Sequence, residues 1–407
     1  MVTITADDPL DVAVVGAGPA GIGVGVALEK LELDVRILDR ESIGASFRDW
    51  PDEMRLLTPS FPGGFGRTDL NAVTPHTSPA FALDREHPTG EEYAQYLEGV
   101  AEFHDLPVET GVEVESVEPM AERRKRPEAV AVDGGTGGFA LETSEGPIHS
   151  RFVVWAAGEF GSPRREPFPG AEGCVHTADV GSWEEYADRG EEFLVVGGYE
   201  SGIDAAAGLV DEGARVTVLD GGAPWGLRHP DPSEALSPYT NERLEGALET
   251  GRLTLVHGAR VERATEKGSG YRVDVAPQEL DFDAEPATDA IRDPDREYRV
   301  ETPPLLATGF EPTLGPVRDR FPSEEGSVEL TDRDESPEVP GLFLAGPAVA
   351  HNGVEFCFIY KYRTRFAVVA ETIGERLDID TDPLEVYREE GMFMEDLECC
   401  EPELCDC

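Results

Sequence analysis

A glycine-rich turn near the start of the chain has the residue types and spacing needed to bind phosphate. Gly16, Gly18 and Gly21 follow an apolar run at residues 11–15, and Asp39 ends the next apolar run. Gly16 permits a tight turn, Gly18 lets a pyrophosphate approach the backbone, and Gly21 lets a helix pack closely on the strands. The helix N-terminus offers N–H groups to the phosphates, and Asp39 is placed to accept hydrogen bonds from a ribose. The pattern predicts a dinucleotide site.

A second glycine-containing turn repeats this pattern about 180 residues later. Gly197 and Gly202 take the first and last glycine places, and Tyr199 stands where the middle glycine is expected. The Tyr199 side chain must therefore point away from a ligand or stack on it. Asp220 ends the following apolar run and favours a ribose 2′-hydroxyl over a 2′-phosphate by charge repulsion. This predicts a preference for NADH, although Arg228 is a nearby cation that would favour NADPH.

A third group with chemical potential is a set of cysteines within the last nine residues, namely Cys399, Cys400, Cys405 and Cys407. Three interpretations remain open: a dithiol that passes electrons to a substrate, a site for zinc or another soft metal ion, and an exposed accessory tail. Vicinal cysteines strain a mutual disulfide, and the spacing matches no standard zinc module.

The order of apolar runs and turns predicts the elements that position these residues. A strand, the first turn, a helix to Leu31 and a strand at 34–38 form a βαβ unit, and the same order returns over 193–219 as an internal repeat. Apolar positions at helical spacing predict a long helix over 354–377. Short alternating runs predict an antiparallel meander, at 107–118, 129–132, 139–143 and 148–154.

The chain of 407 residues is strongly acidic, with 34 Lys and Arg against 83 Asp and Glu and a net charge of −49. Such a surface repels polyanions, which argues against nucleic-acid or anionic-membrane partners. The acidic residues are interleaved with apolar runs, so the composition resembles that of haloarchaeal proteins and predicts a soluble protein of a high-salt cytoplasm. We expect no membrane span and no secretory signal, because no apolar run approaches ~18 residues and no basic segment precedes the first one.

Two dinucleotide folds in one chain match an enzyme that holds FAD in one and a nicotinamide cofactor in the other, and further motifs make this resemblance specific. Val153–Arg164 and Leu305–Pro312 resemble the paired motifs at which two-dinucleotide-binding-domain flavoproteins cross between domains. Pro340–Val349 resembles their C-terminal FAD motif. Ile43–Pro51 and Phe356–Phe366 resemble a branch between thioredoxin reductases and flavin monooxygenases, which includes bacillithiol-disulfide-reductase-like proteins.

The resemblance implies an α/β fold with two Rossmann-like dinucleotide-binding domains. The FAD-binding domain is expected at 1–180 and 300–390, with the NAD(P)H-binding domain inserted at 181–299 and a cysteine-rich acidic tail at 391–407. Trp50 and Tyr360 are candidate aromatics of the flavin pocket, with core packing as the equal alternative. FAD contacts are expected from Gly16, Gly18, Pro19, Ala20, Gly21, Asp39, Arg40, Ser46, Trp50, Val114, Ala157, Gly158, Thr308, Gly309, Gly346 and Pro347. Nicotinamide-cofactor contacts are expected from Gly197, Tyr199, Glu200, Ser201, Gly202 and Asp220.

Several residues depart from the patterns of that superfamily. Pro347 stands where many relatives have an aspartate that contacts the ribityl chain, and the chain has neither the CxxC pair of thioredoxin reductases nor the cysteine pair of glutathione-reductase-type enzymes. Phe168–Gly170 followed by His176 resembles the monooxygenase linker FxGxxxH with two extra residues, and we favour a linker role for His176 over a catalytic one. Cys357, at the start of the predicted last helix, is a catalytic candidate with a buried core cysteine as the alternative.

The sequence therefore predicts an FAD-dependent NAD(P)H oxidoreductase that passes hydride from nicotinamide C4 to flavin N5 and electrons to a small disulfide or another acceptor. Cys357, Cys399 and Cys400 are the catalytic candidates. One alternative is a flavin-dependent monooxygenase that uses oxygen, and another is a redox-sensing or soft-metal-handling flavoprotein that acts through the tail. The expected partner is a small-molecule substrate, a homodimer remains open, and the crowding of cysteines into the tail favours the cytoplasm over a disulfide-bonded secreted protein.

Overall fold

The computed structural model describes residues 9–63, 68–120, 137–222, 225, 233, 235–278, 294–324 and 327–397. The predicted strand at 129–132, Arg228 and the four cysteines of the tail lie outside these residues. In the described ranges, no helix is long and apolar enough to cross a membrane.

The elements are numbered in chain order. The strands are β1 Leu10–Val15, β2 Val35–Asp39, β3 Val108–Thr110, β4 Val114–Pro119, β5 Phe139–Thr143, β6 Ile148–Trp155, β7 Val175–His176, β8 Glu192–Val196, β9 Arg215–Asp220, β10 Leu253–His257, β11 Ala259–Lys267, β12 Gly270–Pro277, β13 Glu297–Val300, β14 Leu305–Leu306, β15 Ser323–Glu324, β16 Ser327–Val328, β17 Leu342–Leu344, β18 Ala350–His351 and β19 Val354–Glu355. The α-helices are α1 Pro19–Glu29, α2 Ala45–Arg48, α3 Pro79–Leu83, α4 Gly90–Phe103, α5 Trp183–Ala187, α6 Glu200–Asp211, α7 Pro238–Glu249, α8 Ile359–Tyr362, α9 Phe366–Arg376 and α10 Glu385–Glu389. Short 3-10 helices span Ala171–Gly173, Thr177–Asp179, Gly315–Arg320, Arg363–Arg365 and Asp382–Leu384.

The described residues form two compact units. The first contains those within 9–48, 59–161 and 312–397, and the second contains those within 49–58 and 162–311. The assignment of residues 181–299 to a nicotinamide-binding domain concerns ligand binding, so it stays a prediction.

A sheet of seven described strands organises the first unit, in the order β3-β2-β1-β6-β5-β4 with β17 paired to β6. β1, β2, β3, β6 and β17 are parallel, whereas β4, β5 and β6 pair antiparallel. The prediction that 107–118 belongs wholly to an antiparallel meander was wrong, because β3 extends the parallel part and only β4 joins the antiparallel part. Gly111, with a φ of +74°, separates the two strands.

Helix α1 forms through tertiary packing rather than through helix propensity. Glycines disfavour a helix interior, yet every residue of Pro19–Leu28 is buried. A Cβ at Gly23 would lie 2.2 Å from the Phe366 ring, and one at Gly25 would lie 2.5 Å from Ile37 Cδ1. The glycines therefore let α1 pack directly on β2 and α9.

A parallel sheet in the order β10-β9-β8-β14-β7 organises the described part of the second unit. β8, α6 and β9 repeat the order and parallel pairing of β1, α1 and β2, which confirms the predicted internal repeat and the α/β fold class. Trp183, Ile203 and Val218 lie in the core beside this sheet, and the antiparallel strands β11, β12 and β13 carry a second apolar cluster.

The predicted helix over 354–377 was wrong at its start, because Val354–Glu355 is the strand β19, which forms a hairpin with the preceding β18. Asn352 and Gly353 close this hairpin with φ values of +51° and +80°. Asn-Gly adopts such angles at low cost in a two-residue hairpin turn. Helical structure begins only at Ile359, passes through a 3-10 turn and continues to Arg376.

Candidate functional site

The first glycine turn joins β1 to α1 and has no room for side chains at its two ends. Gly16 has a φ of +109°, and a Cβ there would lie 2.4 Å from the carbonyl oxygen of Ala156. A Cβ at Gly21 would lie 1.8 Å from the carbonyl oxygen of Gly16. The turn is therefore held between the first turn of α1 and the end of β6, as the spacing of these glycines predicts.

Gly18 differs from both, because its side-chain position faces open space. It is the N-cap of α1, with a φ of −80° and a ψ of −169°, and a Cβ there would meet no described atom within 4 Å. Open space in front of a helix N-terminus is what a bound pyrophosphate requires. The first turn, followed by Pro19 and Ala20, therefore has room for a pyrophosphate, and its assignment to FAD stays a prediction.

Asp39 braces this turn from the end of β2. Its Oδ2 accepts a hydrogen bond of 2.7 Å from the amide of Ala17, and its Oδ1 accepts one of 2.8 Å from the amide of Glu41. A carboxylate oxygen has a second lone pair, so Asp39 can still accept from ribose hydroxyls. Arg40 is exposed, and its Nε donates to Glu41 Oε1 at 3.2 Å.

Most of the other predicted FAD contacts in the first unit lie close to this turn. The Gly44 amide donates to the Ala17 carbonyl at 3.0 Å, which places α2 and Ser46 next to it. A Cβ at Gly346 would lie 3.3 Å from Ala20 Cβ, so the turn after β17 reaches the N-terminus of α1. The remaining contacts predicted here follow Gly346, follow β6 or lie in β4, and they are Pro347, Ala157, Gly158 and Val114.

Three predicted FAD contacts lie in the second unit. Trp50 is half-buried in the segment 49–58. Thr308 Oγ1 donates to the Arg164 carbonyl at 2.6 Å, and the Arg164 amide donates to the Gly309 carbonyl at 3.0 Å. The two predicted crossing motifs are therefore hydrogen-bonded to each other, while the roles of these three residues toward FAD stay predictions.

Two cysteines lie among the described residues. Cys357 is half-buried between β19 and α8, so it precedes the helix that was expected to start there, and Tyr360 stacks on Phe358 with ring centroids 5.7 Å apart. Cys174 is also half-buried, and burial, aided by the charge of Glu172, raises the pKa of its thiol to about 11. Cys174 is therefore protonated at neutral pH and is a poor nucleophile.

The second glycine turn joins β8 to α6 with the same close contacts as the first. Gly197 has a φ of +102°, and a Cβ there would lie 2.2 Å from the carbonyl oxygen of Ala307. A Cβ at Gly202 would lie 2.0 Å from the carbonyl oxygen of Gly197. Asp220 Oδ2 accepts from the Gly198 amide at 2.7 Å, as Asp39 does in the first turn.

Trp225 completes this turn and was missed by sequence reasoning. It is fully buried, and its Nε1–H donates to the Gly198 carbonyl at 2.8 Å. A Cβ at Gly198 would lie 2.4 Å from Trp225 Cζ2. The lack of a side chain at Gly198 therefore makes room for the indole ring of Trp225. A second glycine directly after Gly197 was the one local signal in the sequence for a close contact at this turn.

Tyr199 and Glu200 follow in the same turn. Tyr199 is the N-cap of α6, and its hydroxyl donates to the Ala235 carbonyl at 3.0 Å. The buried Glu200 carboxylate accepts from the Ser237 amide at 2.5 Å and from the hydroxyl of Thr240. Burial raises the pKa of Glu200 despite these hydrogen bonds. Glu200 thus binds the N-terminus of α7, and Ser201 follows it, half-buried, on α6.

His176 lies in β7, within the sheet of the second unit. Its Nδ1 accepts from the Ala178 amide at 3.1 Å, and its Nε2 lies 3.3 Å from the Gly309 carbonyl oxygen. Burial lowers its pKa, so the ring is neutral at pH 7. The linker role expected for His176 stays a prediction.

Comparison with known proteins identifies the family. The profile described as Pyridine nucleotide-disulphide oxidoreductase matches residues 13–346. The chain is 22% identical to the bacilliredoxin reductase Bdr of Bacillus subtilis over 369 residues, which are 89% of this chain and 97% of that relative. Its fold is similar to that of the bacillithiol disulfide reductase Bdr from Staphylococcus aureus (TM-score 0.67, 17% identity, 90% of this chain and 98% of that one) and of a flavin-containing monooxygenase from Stenotrophomonas maltophilia (TM-score 0.61, 20% identity, 91% and 99%). The chain therefore belongs to the pyridine nucleotide-disulphide oxidoreductase family, and it is an FAD-dependent NAD(P)H oxidoreductase.

Proposed function

We propose that the protein reduces a low-molecular-weight disulfide with electrons from NADH or NADPH. The pair of matching glycine turns, each with a close-packed first glycine and a bracing aspartate, supports two dinucleotide cofactors. The disulfide as acceptor is supported by the similarity to the bacilliredoxin reductase Bdr along nearly the whole of both chains. Bound FAD supplies the two-electron chemistry between nicotinamide and disulfide. The disulfide takes up two electrons and two protons and becomes two thiols, with the electrons and one proton coming from the hydride and the other proton from solvent.

The residues of the first turn bind and orient the flavin cofactor in this proposal. Gly16 and Gly21 fix the turn against β6, and Gly18 leaves its open side to the pyrophosphate. Asp39 accepts from the adenosine ribose. Gly197, Gly202 and Asp220 do the same for the nicotinamide cofactor, with Asp220 favouring NADH by charge repulsion.

The C-terminal cysteines are the proposed route to the disulfide. The carbonyl of Leu397 accepts from Asn352 Nδ2 at 3.0 Å, so the described chain ends beside the β18–β19 hairpin, which leads to Cys357. We propose that the thiols of Cys399 and Cys400 exchange with the small disulfide, which leaves as two thiols while the two cysteines form a disulfide. The two electrons of the hydride then reduce this disulfide back to two thiols. The raised pKa of Cys174 makes its thiol a weaker nucleophile for such an exchange.

Two half-reactions test this function on the holoenzyme. The flavin is reduced anaerobically with NADH and then mixed with cystine, oxidised glutathione, bacillithiol disulfide or oxygen. We expect rapid reoxidation by a disulfide, slowed when residues 398–407 are deleted or when the four tail cysteines are replaced by serine, with reduction by NADH unchanged. Equal reoxidation by disulfides and by buffer alone would contradict the proposal.

The alternatives make different predictions in the same experiment. A monooxygenase would hydroxylate a substrate with oxygen, which the partial linker signature at His176 favours. Both ring nitrogens of this histidine contact the main chain, Nδ1 at the Ala178 amide and Nε2 at the Gly309 carbonyl. A metal-handling protein would hold a soft ion that is lost when the tail is deleted. Within the ranges that the structure describes, no His, Cys, Asp and Glu side chains group as a metal site.

We further propose a high-salt cytoplasm as the setting of this protein. The support is the net charge of −49, because the Debye length falls from about 10 Å at 0.1 M salt to about 3 Å at 1 M and so weakens self-repulsion. The melting temperature should rise with KCl over this range. A melting temperature that does not change with KCl would argue against the proposal.

A further inference from the structure

Tyr199 leaves the second turn in the direction that is open at the first turn. Tyr199 and Gly18 are the N-caps of α6 and α1, with φ and ψ of −87° and −160° against −80° and −169°. These backbone angles fix the direction of the Cβ. The Tyr199 side chain therefore leaves the second turn in the direction that is empty at Gly18 in the first turn. In a dinucleotide site this is the space in front of the helix N-terminus that a pyrophosphate takes.

The far end of this side chain is tied down. The Tyr199 hydroxyl donates to the Ala235 carbonyl at 3.0 Å, and the ring packs against the apolar cluster that contains Trp225 and Leu236. The phenol therefore crosses from the N-terminus of α6 to the segment that leads into α7.

The anchor is itself held in place. Ser237, two residues after Ala235, donates its amide to the Glu200 carboxylate at 2.5 Å and its hydroxyl at 3.2 Å. The hydroxyl of Thr240 donates to the same carboxylate. Because Glu200 directly follows Tyr199, both ends of the phenol bridge are fixed to each other by this buried carboxylate.

We propose that Tyr199 controls the affinity for the nicotinamide nucleotide, because its phenol covers the pyrophosphate position and must release Ala235 before the nucleotide binds. This inference rests on the proposed assignment of the second turn to the nicotinamide cofactor. The hydrogen bond to Ala235 weakens apparent binding by about twofold to tenfold, the ratio that one net hydrogen bond represents.

Three substitutions and one control test the inference on the FAD-loaded protein. Tyr199→Phe removes the tether and keeps the ring, and Tyr199→Gly restores the glycine of the first turn. Tyr199→Ser removes the ring and introduces an N-cap hydroxyl, which Tyr199 does not supply. Tyr298→Phe is the control, because the Tyr298 hydroxyl also bonds the main chain of this unit, at the Asp295 amide. The probe is NAD⁺, titrated by calorimetry.

We expect all three Tyr199 variants to bind NAD⁺ about twofold to tenfold more tightly than wild type, with flavin content unchanged and with Tyr298→Phe equal to wild type. The KM for NADH should fall while the limiting rate of flavin reduction changes less than twofold. Equal or weaker NAD⁺ binding by the variants would overturn the inference alone, because the phenol would then be a contact and not a cover. If neither wild type nor variants bind NAD⁺, the assignment of the second turn fails and the inference falls with it.

Discussion

Asp39 and Asp220 hold equivalent places in the two units. Each accepts, with its Oδ2, a hydrogen bond of 2.7 Å from an amide 22 positions earlier in the chain. Each also accepts, with its Oδ1, from the amide two positions later, at 2.8 Å in the first unit and 2.7 Å in the second. Both carboxylates therefore tie the end of one strand to the turn after its neighbour, and the same braced turn occurs twice.

Gly18→Val should give a folded protein without flavin. The backbone angles at Gly18 suit a branched residue and its side-chain position is open, so the valine would fill only the space of the pyrophosphate. Flavin absorbance and circular dichroism of the purified protein measure this. Gly21→Ala is the contrast, because its Cβ would meet the Gly16 carbonyl at 1.8 Å and should prevent folding. Full flavin content in Gly18→Val would show that the FAD site lies elsewhere.

Asp220→Asn should raise the use of NADPH relative to NADH by about threefold to tenfold, where tenfold corresponds to about 1.4 kcal/mol. The substitution removes the charge that repels a 2′-phosphate and keeps an oxygen for the Gly198 amide, while the hydrogen bond from the Gly222 amide is lost. The kcat/KM ratio for the two nucleotides reports the change, and Asp39→Asn, the same change in the other turn, should leave this ratio as it is. A tenfold preference of the wild type for NADPH would contradict the assigned role of Asp220.

Glu200 should make the free energy of unfolding fall as the pH rises. Burial raises the pKa of its carboxyl above the ordinary 4.5, so the folded state binds this proton more tightly than the unfolded state does. The resulting stabilisation is full below the unfolded pKa and is lost as the pH rises through the folded pKa. In denaturant titrations at a series of pH values, Glu200→Gln should therefore make the decrease in the free energy of unfolding above pH 4.5 less steep. Glu242→Gln, at an exposed position of α7, should keep the wild-type slope.

Cys174 should react slowly with iodoacetamide in the folded protein. Burial raises the pKa of its thiol from 9.0 to about 11, so its thiolate fraction at pH 8 is about 100-fold below that of an unperturbed thiol. Mass spectrometry of the labelled peptides, compared with the same peptides from unfolded protein, measures the ratio. Labelling of Cys174 at the unfolded rate would show that its thiol is exposed.

The glycine turns could be predicted because their geometry depends on neighbours in sequence. Gly16 and Gly197 each follow a buried strand and precede a helix, and this order alone indicates the tight turn. The partners of the second turn could not be predicted in this way. Trp225 bonds Gly198 from 27 positions away and Ala235 bonds Tyr199 from 36, and no local pattern specifies which loop residues fold back onto a turn.

The hairpin of β18 and β19 lies where two local sequence patterns predict different structures. Asn352-Gly353 is a strong local signal for a two-residue hairpin turn, and it stood in the sequence. The apolar residues from Val354 onward also fit a helical spacing, which predicts a helix where the chain forms a strand. A turn dipeptide at the start of an ambiguous apolar run should outweigh the periodicity of the run.

The pairing of β6 with β17 sets an order for folding on the ribosome. Val153–Trp155 pairs with Leu342–Leu344, and most of the second unit is encoded between these two strands. Residues 162–311 can therefore fold as soon as they emerge, whereas the first sheet must wait for residue 344. Until then the edge of β6 that β17 will cover is open to pairing with other chains. Slowing translation after residue 311 should therefore lengthen the period in which the nascent chain is prone to aggregate.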